Sequence, residues 1–199
     1  MKKNQTIKML MLLASVLLLA GGLDVYGQTK RKSNREAVAQ PVNAVKRLGV
    51  FTNMRFTEEH QYGYSVELWQ EKGRVFGFFL VSEGLIGDTP TGLLEDVVFD
   101  SKTGKLSFRA RLTIGITFNK NNEEIPTRDV YRFKGSLQGQ KLTGIVEYTD
   151  ALNPSMKSTK TNVSLKKSKG ESGEMSKAKS YDEWKKEADE ILDFRGPKW

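Results

Sequence analysis

Every even position from Leu106 to Phe118 is apolar, and polar or small residues stand between them. A period of two sends Leu106, Phe108, Ala110, Leu112, Ile114, Ile116 and Phe118 to one face of a strand and Arg109, Arg111, Thr113 and Thr117 to the other. Similar runs flank this stretch, and the pattern predicts eight strands near 48–56, 61–70, 73–82, 93–100, 104–119, 127–136, 140–149 and 157–166. Glycines in Glu71-Lys72-Gly73, Ser101-Lys102-Thr103-Gly104 and Gln138-Gly139 supply the positive φ that tight hairpins need, so sequence neighbours are expected to pair. Longer connections, Glu83 to Gly92 and Asn119 to Pro126, read as loops at a rim. Eight meandering strands with interior glycines such as Gly135 and Gly144 predict an all-β domain, an antiparallel up-and-down β-barrel, with a two-sheet β-sandwich as the alternative.

The strand at 73–82 is apolar on both faces: Phe76, Phe78 and Leu80 on one, Val75, Phe79 and Val81 on the other. Both faces then need cover. Ser180-Tyr-Asp-Glu183 is a capping box, and Tyr181, Trp184, Ala188, Ile191 and Leu192 recur at helical spacing before Gly196-Pro197 ends the segment. The expectation is a C-terminal amphipathic helix over 180–195, docked on the outside of the sheet beside Trp69 through Trp184, Ile191 and Leu192. The rival reading is a helix held out for a partner. Residues 167–179, rich in Lys, Ser, Gly and Glu, read as a flexible linker.

At the other end, Lys2, Lys3 and Lys8 precede an apolar run of 12 residues, Met9 to Ala20, and then Gly21, Gly22 and Val25-Tyr26-Gly27. That is the layout of a secretory signal peptide over 1–27, and the run is short of the roughly 20 residues that span a bilayer. The expected product is exported through a cleaved signal peptide to a periplasmic or extracellular location, starting at Gln28. The chain has no cysteine, so such a fold must be held without disulfides, by its core alone.

The net charge of +8 is unevenly spread. Residues 28–47 hold six basic residues against Glu36 and read as a basic flexible arm. Residues 48–165 hold 14 basic and 14 acidic residues, and 166–199 hold nine and eight. The barrel segment, 48–166, is therefore not the basic, aromatic-studded module expected of a nucleic-acid binder. The arm suits an anionic surface or an envelope protein.

Chemistry is restricted by what is missing. There is no thiol, and His60, placed in a turn between the first two strands, is the only histidine. No His–Cys zinc set can be built, and a Ser-His-Asp triad would rest on His60 alone. Carboxylate pairs such as Glu58-Glu59, Glu95-Asp96 and Glu123-Glu124 are adjacent in sequence and face opposite ways on a strand. No cofactor is implied, and an enzyme is the least favoured class. Binding remains: Tyr62, Tyr64, Tyr131 and Tyr148, spread over several strands, can line a barrel end with apolar walls and polar handles for a small, partly apolar ligand. The second reading is an envelope or protein-interaction module using the outer face, the arm or the helix.

Gly49-Val-Phe51-Thr-Asn53, followed by Val75-Phe-Gly77-Phe, resembles the opening of avidin-like and lipocalin-like barrels, where a glycine, one residue, an aromatic and an asparagine begin the first strand. The resemblance covers Gly49 to Phe78. It implies a small-ligand barrel and singles out Asn53, because in avidins the asparagine at the matching place touches the ligand. Phe51 stands where those barrels have tryptophan, and their ligand-stacking tryptophans have no counterparts, so biotin is not implied.

Overall fold

A computed structural model describes residues 45–85, 89–169 and 178–195. The expected signal peptide, most of the arm and most of the linker lie outside the described residues. The remainder is an antiparallel β-barrel with one C-terminal helix. Its strands are β1 Lys46–Thr52, β2 Arg55–Phe56, β3 His60–Glu71, β4 Arg74–Leu85, β5 Thr91–Leu93, β6 Glu95–Phe99, β7 Lys105–Leu112, β8 Ile116–Phe118, β9 Glu124–Pro126, β10 Asp129–Gln138, β11 Lys141–Asp150 and β12 Thr159–Lys167; the helix is α1 Tyr181–Arg195.

Hydrogen bonding follows the order β5-β4-β3-β1-β12-β11-β10-β7-β6, with β2 paired to β3 off this path. The two ends of that path, β5 and β6, are consecutive pieces of one bent segment. β5 pairs with β4 and β6 with β7, so this segment closes the wall, and the expected strand at 93–100 is split at Leu94. The Leu94 N–H donates to the Gly77 carbonyl at 2.9 Å across the joint. Gly92 lies so close to β7 that a Cβ there would sit 2.4 Å from the Arg111 carbonyl oxygen. Counting β5 and β6 as one stave, the barrel is an eight-stave up-and-down meander, closed by β1 pairing with both β3 and β12.

The alternation in 104–119 holds only to Leu112. Leu106, Phe108, Ala110 and Leu112 are buried, whereas Ile116 and Phe118 are exposed on β8, which pairs with β9 in a separate hairpin. The physical reason lies elsewhere in the chain. Thr127 Oγ1 accepts from the Ile114 and Gly115 N–H groups, and the Asp129 carboxylate also accepts from Ile114, so side chains take the bonds that would have continued the ladder. His60 closes the turn from Thr57, whose N–H donates to its carbonyl, and is the first residue of β3.

The interior is filled by side chains. Phe79 is fully buried and its ring lies 5.7 Å from Phe108, 5.4 Å from Tyr131 and 5.8 Å from Tyr64, while Phe108 stacks on Phe133 at 5.1 Å. Gly135 and Gly144, paired across β10 and β11, make room for this stack. A Cβ on either would meet the Phe133 ring, at 2.6 and 2.8 Å. Outside the wall, Trp69, Phe76 and Phe78 form a second apolar cluster with Ala178, Trp184 and Ala188 of the C-terminal segment. The Trp184 ring sits 4.7 Å from Phe76 and 5.2 Å from Phe78. Ser180 caps the helix by accepting from the Glu183 N–H, and the Glu183 carboxylate reaches back to the Lys179 N–H.

Candidate functional site

The barrel has two unlike ends. Tight turns join β3 to β4, β6 to β7 and β10 to β11 at one of them; the longer connections lie at the other. Following the inward rows of β3, β4, β10 and β11 toward the long-loop end, apolar side chains give way to tyrosine and carboxylate, whereas the row of β7 ends on buried Leu112. On β3 the row runs Leu68, Val66, Tyr64, Tyr62; on β4 it runs Phe79, Val81, Glu83; on β10, Phe133, Tyr131, Asp129; on β11, Leu142, Val146, Tyr148. At the tight-turn end the inward rows finish on Leu68, Leu106, Leu142 and Leu165, all buried.

The structure therefore brings three of the expected ligand residues together. Tyr131 is buried with its ring 5.3 Å from Tyr148 and 5.4 Å from Phe79, and Tyr64 stacks on the other side of Phe79 at 5.8 Å. Tyr62 stands farther out on the same row, 46 % exposed, with its ring stacked on His60 at 6.0 Å. Asn53 is committed to the backbone: its Oδ1 accepts from the Tyr64 N–H at 2.8 Å, and its own N–H donates to the Tyr64 carbonyl at 3.1 Å. Its Oδ1 and backbone N–H thus hold Tyr64 in place. Trp184, Ile191 and Leu192 pack against the cluster on the outer wall, so the helix's apolar stripe is covered by its own barrel.

Two carboxylates complete this layer, and neither was singled out from the sequence. Asp129 is buried; it accepts from Tyr148 Oη at 3.1 Å, from Thr127 Oγ1 and from the Ile114 N–H. Glu83 is exposed at the tip of its row, opposite Tyr62 in the β3–β4 register. Neither forms an ion pair among the described residues. Glu83 was readable from the Phe79, Val81 alternation, had β4 been extended past Ser82; Asp129 faces inward only because β10 begins there.

The electrostatics report the same convergence. Burial, followed by the Glu83 charge, raises the Tyr64 hydroxyl, and a Thr161 contact partly opposes this. Tyr131 is raised further, by burial first and then by Glu83 and Asp129. Tyr148 is pushed up to about 12 by burial, the Asp129 charge and the hydrogen bond to it. One exposed carboxylate acts on all three rings, so the mouth is a region of negative potential walled by aromatic faces.

Two grooves lie elsewhere. One of about 420 Å³ runs over the outer wall between Arg109, Arg132 and Lys160. Arg109 there pairs with Glu95 and Asp96, Lys160 pairs with Glu147, Arg132 donates to Thr149, and Lys134 lines the groove as well. The other, about 730 Å³, follows β6 beside Tyr181 and Trp184. No family model, curated protein or solved structure matches this chain.

Proposed function

We propose that this protein is an exported carrier or sensor that binds a small organic cation with an apolar body at the tyrosine-lined mouth. The reading is carried by one observation: Tyr64, Tyr131 and Tyr148 converge at a barrel end whose carboxylates, Glu83 and Asp129, have no cationic partner among the described residues. A cation over an aromatic face gains about 0.5–2 kcal/mol, more as water is excluded. A carboxylate nearby adds attraction that a neutral ligand of equal size does not feel. The filled interior below Phe79 limits the ligand to the mouth and its rim. A large apolar tail has no room to descend.

Isothermal titration with choline and with its neutral isostere 3,3-dimethylbutan-1-ol separates charge from shape. Choline is expected to bind at least about ten-fold tighter. Glu83→Gln, a change at an exposed residue, is expected to remove most of that preference and leave the melting temperature within a degree or two of the parent. Equal affinity for the two compounds in the parent would remove the cation reading. Absence of binding by both, and by benzyltrimethylammonium, would remove the mouth as a ligand site.

A further inference from the structure

The charges of the barrel and of the residues flanking it, 45–47 and 166–169, are separated along the barrel axis. Successive connections fall at alternate ends, and the charges sort with them. At the tight-turn end, residues 45–47, 71–74, 100–105, 138–141 and 166–169 hold ten Lys and Arg against two acidic residues. At the long-loop end, the described residues of 53–60, 83–90, 113–129 and 150–158 hold four basic against seven acidic. The helix starts beside the tight-turn end, where Tyr181 meets Glu71 and Arg74 and the acidic Asp182 and Glu183 follow, and its charges are left out of both counts.

Among the described residues, only Arg47 of the ten cations at the tight-turn end forms an ion pair, with Glu67 on the outer wall, and Arg74 lies over the Tyr181 ring. The two acidic residues of that end are occupied within the fold. Asp100 accepts from the Lys102 N–H and Thr103 Oγ1, and Glu71 accepts from the Tyr181 N–H. Lys46, Lys72, Lys102, Lys105, Lys141 and Lys166 are exposed. β1 begins at this end, at Lys46.

We infer that this end docks electrostatically on an anionic lipid bilayer surface, which points the tyrosine mouth away from it. The charges come from the tips of separate staves, spread over the end of a barrel, and suit an extended planar anion. Eight of the ten are lysines, which act as point charges and not as bidentate base or phosphate readers. The tight turns among them carry no aromatic side chain on which a nucleobase would stack. The inference is independent of what the mouth binds.

Sedimentation with phosphatidylcholine vesicles, with and without phosphatidylglycerol, tests it in otherwise identical full-length chains, so that residues 1–44 contribute equally to all. The parent is expected to partition onto phosphatidylglycerol vesicles at least about ten-fold more than Lys102→Gln/Lys105→Gln/Lys141→Gln, and added salt at about 0.5 M is expected to erase the difference. Lys120→Gln/Lys157→Gln, at the opposite end, is expected to behave as the parent. Lys166→Gln/Lys169→Gln serves as a second basic-end variant should the triple change unfold the chain. Unchanged partitioning in the basic-end variants, or an equal loss in the opposite-end variant, overturns the inference. So does parent binding to single- or double-stranded DNA in preference to the vesicles.

Discussion

Phe79→Ala is expected to lower the free energy of unfolding by about 3–5 kcal/mol, read from urea denaturation. The ring is fully buried and touches side chains from three other staves: Tyr64 on β3, Phe108 on β7 and Tyr131 on β10. Those neighbours are held by ladders on either side and cannot all move in, so the lost contacts leave a cavity as well as a transfer penalty. A chain of this size has on the order of 5–15 kcal/mol in total. The single change therefore takes a large share of it. Ile145→Ala, on the outer wall and 43 % exposed, is the matched control, expected to cost about 0.5 kcal/mol or less. Equal losses at the two positions would mean that the barrel interior is not the core.

Trp184→Ala is expected to release the helix. The indole is 1 % exposed and packs against Phe76, Phe78 and Tyr181; its N–H has no hydrogen-bond partner among the described residues, and what holds it against these rings is packing. Truncating a buried tryptophan costs about 3–5 kcal/mol. A 15-residue helix is marginal by itself in water, so undocking should also melt it. The expected signature is loss of the helical contribution to far-ultraviolet circular dichroism, with rapid proteolysis within 178–195 and a barrel that still unfolds cooperatively. Trp184→Phe should retain most of the docking. A helix signal unchanged in Trp184→Ala would place the anchor elsewhere.

The meander was legible because burial of one face imposes alternation, and 105–112 shows it without interruption. The two-faced apolar pattern of 73–82 with the stripe at Trp184 also revealed the helix's seat, since only an outer cover satisfies Phe76 and Phe78 together with Phe79 and Val81. Strand ends were less legible. The alternation at Ile114, Ile116 and Phe118 runs on in sequence, yet Thr127 and Asp129, remote in the chain, end β7 at Leu112. The bend at Leu94 depends on a closure that exists only once all staves are placed. Of the site, the tyrosines were found by residue type. Glu83 and Asp129 were missed because their inward direction depends on where β4 ends and β10 begins. The charge separation was hidden by summing along the chain, when adjacent turns belong to opposite ends.

The convergence of the inward rows on an enclosed tyrosine layer is what the mouth, its potential and its ligand class all require. Tyrosinate absorbance, followed through a rapid pH jump on the folded chain, tests it without any ligand. Because the folded values of Tyr64, Tyr131 and Tyr148 are raised, their protonated forms stabilise the fold below pH ~10, and that stability is lost as the pH climbs toward about 12 and beyond. The expected record is a late-ionising fraction of the six tyrosines, diminished in turn by Tyr64→Phe, Tyr131→Phe and Tyr148→Phe. Development of the whole absorbance in one step near pH ~10, indifferent to those three substitutions, would contradict the enclosed layer.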